Sequence, residues 1–585
     1  MIFLDPPRRL CAGIAFAIIW PSISAHVLSG TPFGSVAVAS TLRDARVAAE
    51  EIEPIDPDQA IDVQWFGAIP DDGVDDSEAF SRACEEAFAT GLPVLISPGT
   101  YEVDRNTTII CTGDLHIAGQ GEVHINLDGL LTFRADAADE AVVLKTDAAR
   151  TSRSIAVDDA NKCSVGDLVY VNTTVAAEVA WKTPKREVHR IRAIDGTTIV
   201  FEEPLVFSYR TTDAGLAIAA YKKRRITIDD LIFDVNDRQL ATQYFSGGTV
   251  LRRCRWTERD VGQQDGYHYS PGNSIDVLVS DAAFEGGTYG CVPACCRNVV
   301  LERIQGYRCG GHVIAPSLWC YNVHVNTIRG SQCGSLVDSH PCFEVHYNDV
   351  SGDIVGMPNL RCLGGSIRNY HVRSTRSEPG SVYLQSIVLQ VDTEIYDETT
   401  LLLENFTLVT PNLDPNHPTN RVVAIYGHRA VLNNVNWWGF DFYPGPRNAH
   451  GFHEVSISNS QLTRVALWPD QQATIRHCRF SGATAGGGRV DIALGISANG
   501  SCWTSDTSFQ DYRHVISVLG PRNVGFTDCR FVDCDAVFAP SRTAPKVYFG
   551  TCTFDHVAGW GDIDKSNLLL YNCTFTPGEQ GWTGR

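Results

Sequence analysis

Residues 61–103 read IDVQWFGAIPDDGVDDSEAFSRACEEAFATGLPVLISPGTYEV. Ile61, Val63 and Trp65 alternate with polar neighbours, which predicts a strand running up to the turn at Gly67-Ala68. An acidic loop follows, with Asp71, Asp72, Asp75 and Asp76 around Gly73. Ala79, Phe80, Ala83, Cys84, Ala87 and Phe88 then recur at helical spacing, and Gly91 supplies the stop. Val94-Leu95-Ile96 reads as a buried strand that closes on Pro98-Gly99-Thr100-Tyr101. Four clustered carboxylates suit a calcium loop. They equally suit the start of a helix, where negative charge meets the unpaired N–H groups, and that structural role is the expected one.

The order strand, Phe-Gly-Ala, Asp-Gly-x-x-Asp-Asp, amphipathic helix and Pro-Gly-x-Tyr resembles the opening cap of the pectate-lyase-like right-handed parallel β-helices. Nearly every element of that cap is present. The resemblance implies an all-β solenoid with an N-terminal cap helix. It does not imply a reaction, because one fold hosts many functions.

The composition agrees. The chain has 585 residues, 44% of them hydrophobic, with 50 glycines and only two methionines. That balance fits a turn-rich β protein, and a solenoid extends its core with each added coil instead of dividing into domains. The net charge of -20 disfavours nucleic acid and anionic membrane surfaces as partners. An acidic polysaccharide stays open, provided a local basic site exists. Nineteen cysteines are dispersed through the chain without paired CxxC spacing, so buried unpaired thiols are expected and zinc is not.

The N-terminus carries Arg8-Arg9, an apolar run over 10–20 and Ser22-Ile23-Ser24, the pattern of a secretory signal. A retained anchoring segment is the rival reading. Residues 1–60 are therefore read as signal or anchor plus linker, with a helix at 41–52 before the linker at 53–57. Residues 61–140 form the cap and first coils. Over 141–220, alternating strands joined by Gly-Asp or Asp-Gly turns predict a small antiparallel insertion. Residues 221–585 form the main β-helix, whose repeats are clearest near the end. Phe480, Phe509, Phe531, Phe554 and Phe575 recur every 21 to 29 residues, most of them two positions after a cysteine. Each such unit reads as one coil, with Cys and Phe on the inner face.

Between about 275 and 390, polar clusters close successive coils: Gly310-Gly311-His312, Asp338-Ser339-His340 and Asn359-Leu360-Arg361. His312, Asp338 and Arg361 are separated by 26 and 23 residues, one coil each, which predicts a stacked column with His340 on Asp338's face. Imidazole moves protons near neutral pH, a carboxylate orients it, and a guanidinium clamps a sugar carboxylate. Such a set suits β-elimination from a uronic acid, with no cofactor or metal expected. Hydrolysis would need a second carboxylate, for which Glu344, Asp349 and Asp353 are the nearby choices. Among weaker candidates, one of Trp437 and Trp438 could face outward, Gly486-Gly487-Gly488 is a turn, and Asp265-Gly266-Tyr267-His268-Tyr269 is an aromatic loop that could rim a groove.

Within the family, the chain most resembles phage tailspike depolymerases. That resemblance implies a homotrimer attached to virion tail proteins, located on the virion or outside the cell, which binds and degrades a host polysaccharide. The alternatives are a secreted bacterial enzyme like a pectate lyase or polygalacturonase, and a non-catalytic receptor-binding spike. Neither nucleic acid nor, for the mature form, a membrane is an expected partner.

Overall fold

The computed structural model describes residues 55–576 except 139–140, 178–181, 236–238, 259–266, 357, 375–380, 385–399, 410–420, 425–428, 445–452, 468–470, 484–488, 497–500, 519–522, 541–545 and 562. The expected signal-like segment, the helix at 41–52, the linker up to Pro54, the triple glycine and residues 265–266 of the aromatic loop lie outside the described residues.

The chain is a right-handed parallel β-helix. One ladder runs from Val94–Ile96 through Leu115–Gly119, Ile226–Asp229, Thr249–Arg252 and Ile275–Ser280 to Arg297–Tyr307, every pair parallel. A second begins at Gly99–Val103 and Val123–Leu127. A third comprises Thr107–Cys111, Leu131–Ala135, Leu240–Gln243, Tyr267–Gly272, Tyr289–Cys291 and His312–Ile314. Inward residues of the three ladders form one continuous apolar core.

The cap forms as the sequence indicates from the acidic loop onward. The helix Ser77–Thr90 buries Ala79, Phe80, Ala83, Cys84 and Ala87, and Gly91 ends it in the left-handed conformation at φ 73°. The strand expected through Trp65 is a correction. It stops at Asp62, whose carboxylate accepts from the Gln64 N–H at 2.9 Å and turns Val63–Phe66 into a 3-10 helix. Local side-chain capping competes with the ladder here, and Trp65 is left 69% exposed. The acidic loop is a fastening. Asp71 accepts from the Thr100 N–H, Asp76 accepts from the Ile69 and Glu102 N–H groups, and Asp75 pairs with Arg105. Its carboxylates are spent on backbone donors, as the structural reading expects.

The cysteine repeat has a local cause. Each of Cys254, Cys478, Cys529, Cys552 and Cys573 follows a residue with φ near 50°, and each thiol donates to the carbonyl two residues back at 3.1–3.6 Å. A small, weakly polar side chain can thus satisfy a bend carbonyl at the core's edge without bringing in water. The cysteines of the described residues are all free thiols, and all but Cys573 are buried. Burial pushes the Cys111 thiol up to about 12. Phe480, Phe509, Phe531, Phe554 and Phe575 occupy equivalent positions on successive coils, with ring centroids 4.8–5.2 Å apart.

The insertion is a five-stranded antiparallel sheet in the order Ala217–Tyr221, Leu168–Ala176, Pro184–Asp195, Thr198–Phe201, Ser154–Ala156. The solenoid resumes at Ile226, which pairs with Leu115. The insertion packs Phe207 against Trp319 and Phe343 on the solenoid's flank, and the Trp319 indole donates to the Pro184 carbonyl at 2.7 Å. The void enclosed there, about 10 Å³, holds no more than a water and is not a ligand site. Among the described residues no helix is long and apolar enough to cross a membrane.

Candidate functional site

His312 opens the strand His312–Ile314, Asp338 and His340 lie on Ser335–Asp353, and Arg361 lies on Asn359–Arg373. The straight column expected from spacing does not form. His312 is in register with Ser335, and Asp338 with Asn359. Between Ser339 and Cys342 the pairing slips, because three steps on that strand oppose two from Leu360 to Cys362. Pro341 sits in this bulge. Proline has no N–H to give the ladder and is confined within sheets to such places. The bulge swings His340 toward Arg361.

The four side chains nevertheless meet. His312 Nε2 lies 2.9 Å and His340 Nε2 2.6 Å from the same oxygen, Asp338 Oδ2. Arg361 reaches His340 Nδ1 at 3.4 Å. Asp338 is 0% exposed, while both histidines keep part of their rings in solvent. Both imidazoles lie in close contact with the carboxylate, although neither of its oxygens has a well-directed donor. Burial alone would raise the Asp338 pKa. The adjacent His340 and His312 outweigh burial and hold the carboxyl well below the usual range. Asp338 is therefore an anion fixed between two proton carriers.

The strand positions extend the site. Tyr267, Tyr289 and His312 are in register on successive coils. The tyrosine rings stack at 4.9 Å, and Tyr289 lies 5.5 Å from the His312 ring. Sequence reading flagged Tyr267 within a loop and missed Tyr289. The coil-length steps from 267 to 289 to 312 were the signal. Glu344, Asp349 and Asp353 do not join Asp338. They lie further along its strand, where Asp349 pairs with Arg329 at 2.7 Å and Glu344 faces His346 at 3.6 Å. Trp437 is a core residue.

No protein-family model and no curated protein matches this chain. Solved structures do match, with low identity. The tailspike protein gp49 from Pseudomonas phage LKA1 is 15% identical, with 85% of this chain and 83% of that one covered at a TM-score of 0.46. The gp54 tailspike of Acinetobacter baumannii bacteriophage AP22, solved in complex with a capsular saccharide, is 13% identical, with 84% and 81% covered at 0.48. The A-module of an Azotobacter vinelandii mannuronan C-5 epimerase is 11% identical, with 88% and 100% covered at 0.26.

The donor atoms of His312, Asp338 and His340 lie within 4.8 Å of one another, so these are the residues that could hold a metal ion. Arg361 argues against one. An N–H aimed at His340 Nδ1 makes that nitrogen the acceptor and leaves the ring proton on Nε2, where a metal would need the lone pair.

His268, between the stacked Tyr267 and core Tyr269, is 1% exposed and neither ring nitrogen has a partner. It lies parallel to Phe284 at 6.0 Å, and a Cβ on Gly287 would come within 2.7 Å of Nε2. Burial pushes its pKa down from 6.5 to about 4. The native ring is thus neutral where the unfolded ring already takes a proton. Its contribution to stability is full above pH 6.5 and is lost as pH falls toward 4, by about 3 kcal/mol in total. His268→Leu is expected to flatten that acid limb, measured by urea unfolding at stepped pH.

Proposed function

We propose that the protein binds an acidic polysaccharide across Tyr267, Tyr289 and His312 and cleaves it by β-elimination at Asp338, His340 and Arg361. The observation that carries this reading is the Asp338–His340–Arg361 chain: a buried anion behind an imidazole, and a guanidinium on the imidazole's far nitrogen. In a uronate the carboxylate is attached to the carbon that loses its proton. A carboxylate that draws Arg361 onto itself uncovers His340 Nδ1 beside that same carbon. His340 then takes the C5 proton, and Asp338 stabilises the imidazolium. The C5–H electrons form the C4–C5 double bond, the C4–O bond breaks, and the departing oxygen takes a proton from solvent. His312 holds Asp338 from the other side and ends the tyrosine platform, on which sugar C–H faces can stack. Glu344, Asp349 and Asp353, the nearby acids hydrolysis would draw on, lie further along the strand and do not join Asp338, and the first two are paired with His346 and Arg329.

The test is incubation with acidic and neutral glycans, read for both product type and binding. Elimination yields an unsaturated, ultraviolet-absorbing end group, whereas hydrolysis yields none. Arg361→Lys keeps the charge but loses the planar fork and is expected to raise KM for acidic chains at least tenfold. Saturated products would replace elimination with hydrolysis, and binding without any product would leave a receptor-binding spike. The homotrimer, the virion attachment and the extracellular location belong to this same proposal, and light scattering that finds a monomer would count against the tailspike form.

A further inference from the structure

A chain of net charge -20 that recognises an acidic glycan needs a local basic surface. Two arginines that could supply one locally lie far along the solenoid from Asp338, on the coils bearing Gln472–Arg476, Ser501–Ser505 and Asn523–Thr527. These strands pair in parallel, so Thr474, Trp503, Gly525 and Tyr548 stand in one outward row. Trp503 is 50% exposed. Its six-membered ring lies over Gly525, where an added Cβ would come within 2.1 Å of ring atoms. Glycine in the middle of a strand costs stability. Here it lets a large indole lie flat on the sheet with its other face in water.

Three residues beyond Trp503 the strand bends at Asp506 into an open groove of about 540 Å³. Arg479, Ser508 and Arg530 line it in register, so the two arginines sit on strands two coils, about 9.6 Å, apart with a small serine between them. Arg530 pairs with Asp555, His477 faces Asp506 at 3.9 Å, and Asp528 also lines the groove, which leaves Arg476 and Arg479 as the cations to meet an acidic chain. Arg479 meets the Gln510 amide at 3.5 Å, and exposed Arg476 borders the same bend. Among the described residues neither Arg476 nor Arg479 has a carboxylate partner.

We infer that Trp503 and the adjoining groove form a second glycan-binding site, separate from the Asp338 cluster and selective for acidic chains. A sugar ring stacks on the indole, and its carboxylate-bearing neighbours run into the groove toward Arg476 and Arg479. The site holds the polymer; it has no part in the cleavage chemistry.

The experiment uses the full chain carrying Asp338→Asn, so that nothing is cut, and titrates it calorimetrically with oligogalacturonate, oligomannuronate, oligosialate and a neutral maltooligosaccharide. Trp503→Ala is expected to weaken acidic-chain binding at least tenfold. The pair Arg476→Ala and Arg479→Ala is expected to flatten its salt dependence. Gly525→Val, which keeps the tryptophan but lifts it off the sheet, should reproduce the Trp503→Ala loss, with an unchanged thermal midpoint for Trp503→Phe as the folding control. Failure of every acidic chain to bind, or binding indifferent to Trp503→Ala, overturns the inference, as does equal binding of the neutral chain. With Asp338 restored, the parent chain should release unsaturated products from short acidic oligosaccharides; cleavage absent there, with tryptophan-dependent binding intact, would overturn the elimination chemistry and leave this site standing.

Discussion

Asp338→Asn is expected to lower glycan cleavage by about 10²–10⁴-fold while leaving KM for acidic chains within a few-fold. The carboxylate is fully buried and touches no solvent-facing surface, so it cannot bind substrate directly. In the proposed reaction it holds His340, which lies 2.6 Å away, and stabilises the positive charge that ring would acquire. An amide keeps the shape but not the charge. The same change should cost stability, about 3 kcal/mol, since breaking a buried ion pair from one side leaves its partners unmatched. The pH dependence follows in sign. A carboxyl held below 3.8 contributes fully above about pH 4 and progressively less below it. The Asp338→Asn protein should therefore lose stability mainly above pH 4 and converge on the parent in acid. A kcat that survives the substitution would remove Asp338 from the reaction, and an unchanged unfolding free energy would remove it from the fold's ion pairs.

Phe531→Ala is expected to have the largest effect on stability alone, about 3–5 kcal/mol by denaturant unfolding. Phe531 is fully buried, stacks on Phe509 at 5.2 Å and on Phe554 at 4.8 Å, and meets Phe526 and Phe549 edge-on. Truncation opens a void between coils that the neighbouring rings, held in register by the backbone, cannot close. Phe575→Ala makes the contrast. That ring is only partly buried and has a stacked neighbour, Phe554, on one side, so its loss should be well under half as large. Equal losses at the two positions would show that the ladder is not a nearest-neighbour structure.

Much of the fold was legible because its signals are local. The helix from Ser77 needs only its own periodicity and Gly91, and the Phe ladder needs only a repeat. Trp65 was misread because a single capping carboxylate, Asp62, diverted the strand. At the site, residue types pointed to four side chains that the structure brings together, and spacing pointed to the wrong register. Coil lengths of 26 and 23 residues already differed, and the bulge at His340-Pro341 absorbs one residue of the Asp338-bearing strand. A period cannot show a bulge, although a proline beside a polar cluster marks where one can sit. Tyr289 was missed because a single tyrosine carries no pattern until Tyr267 and His312 are set one coil to either side. Trp503 carries no signal in the sequence, since its lie over Gly525 depends on which residues the coils set side by side.

The antiparallel insertion has a mechanical consequence. A stack of coils joined only to its neighbours can open at any seam, as a zip opens from whichever tooth yields first. The insertion leaves the stack after Ala135 and lies along its flank, with Trp319, Phe343 and Leu363 pressed into its core and Arg297 ion-paired to Glu203 and Glu187. It is a splint across the seams from which His312, Asp338 and Arg361 project. No seam beneath it can part without breaking those attachments, so that stretch should breathe as one slow block while the unsplinted coils toward Phe575 fray freely.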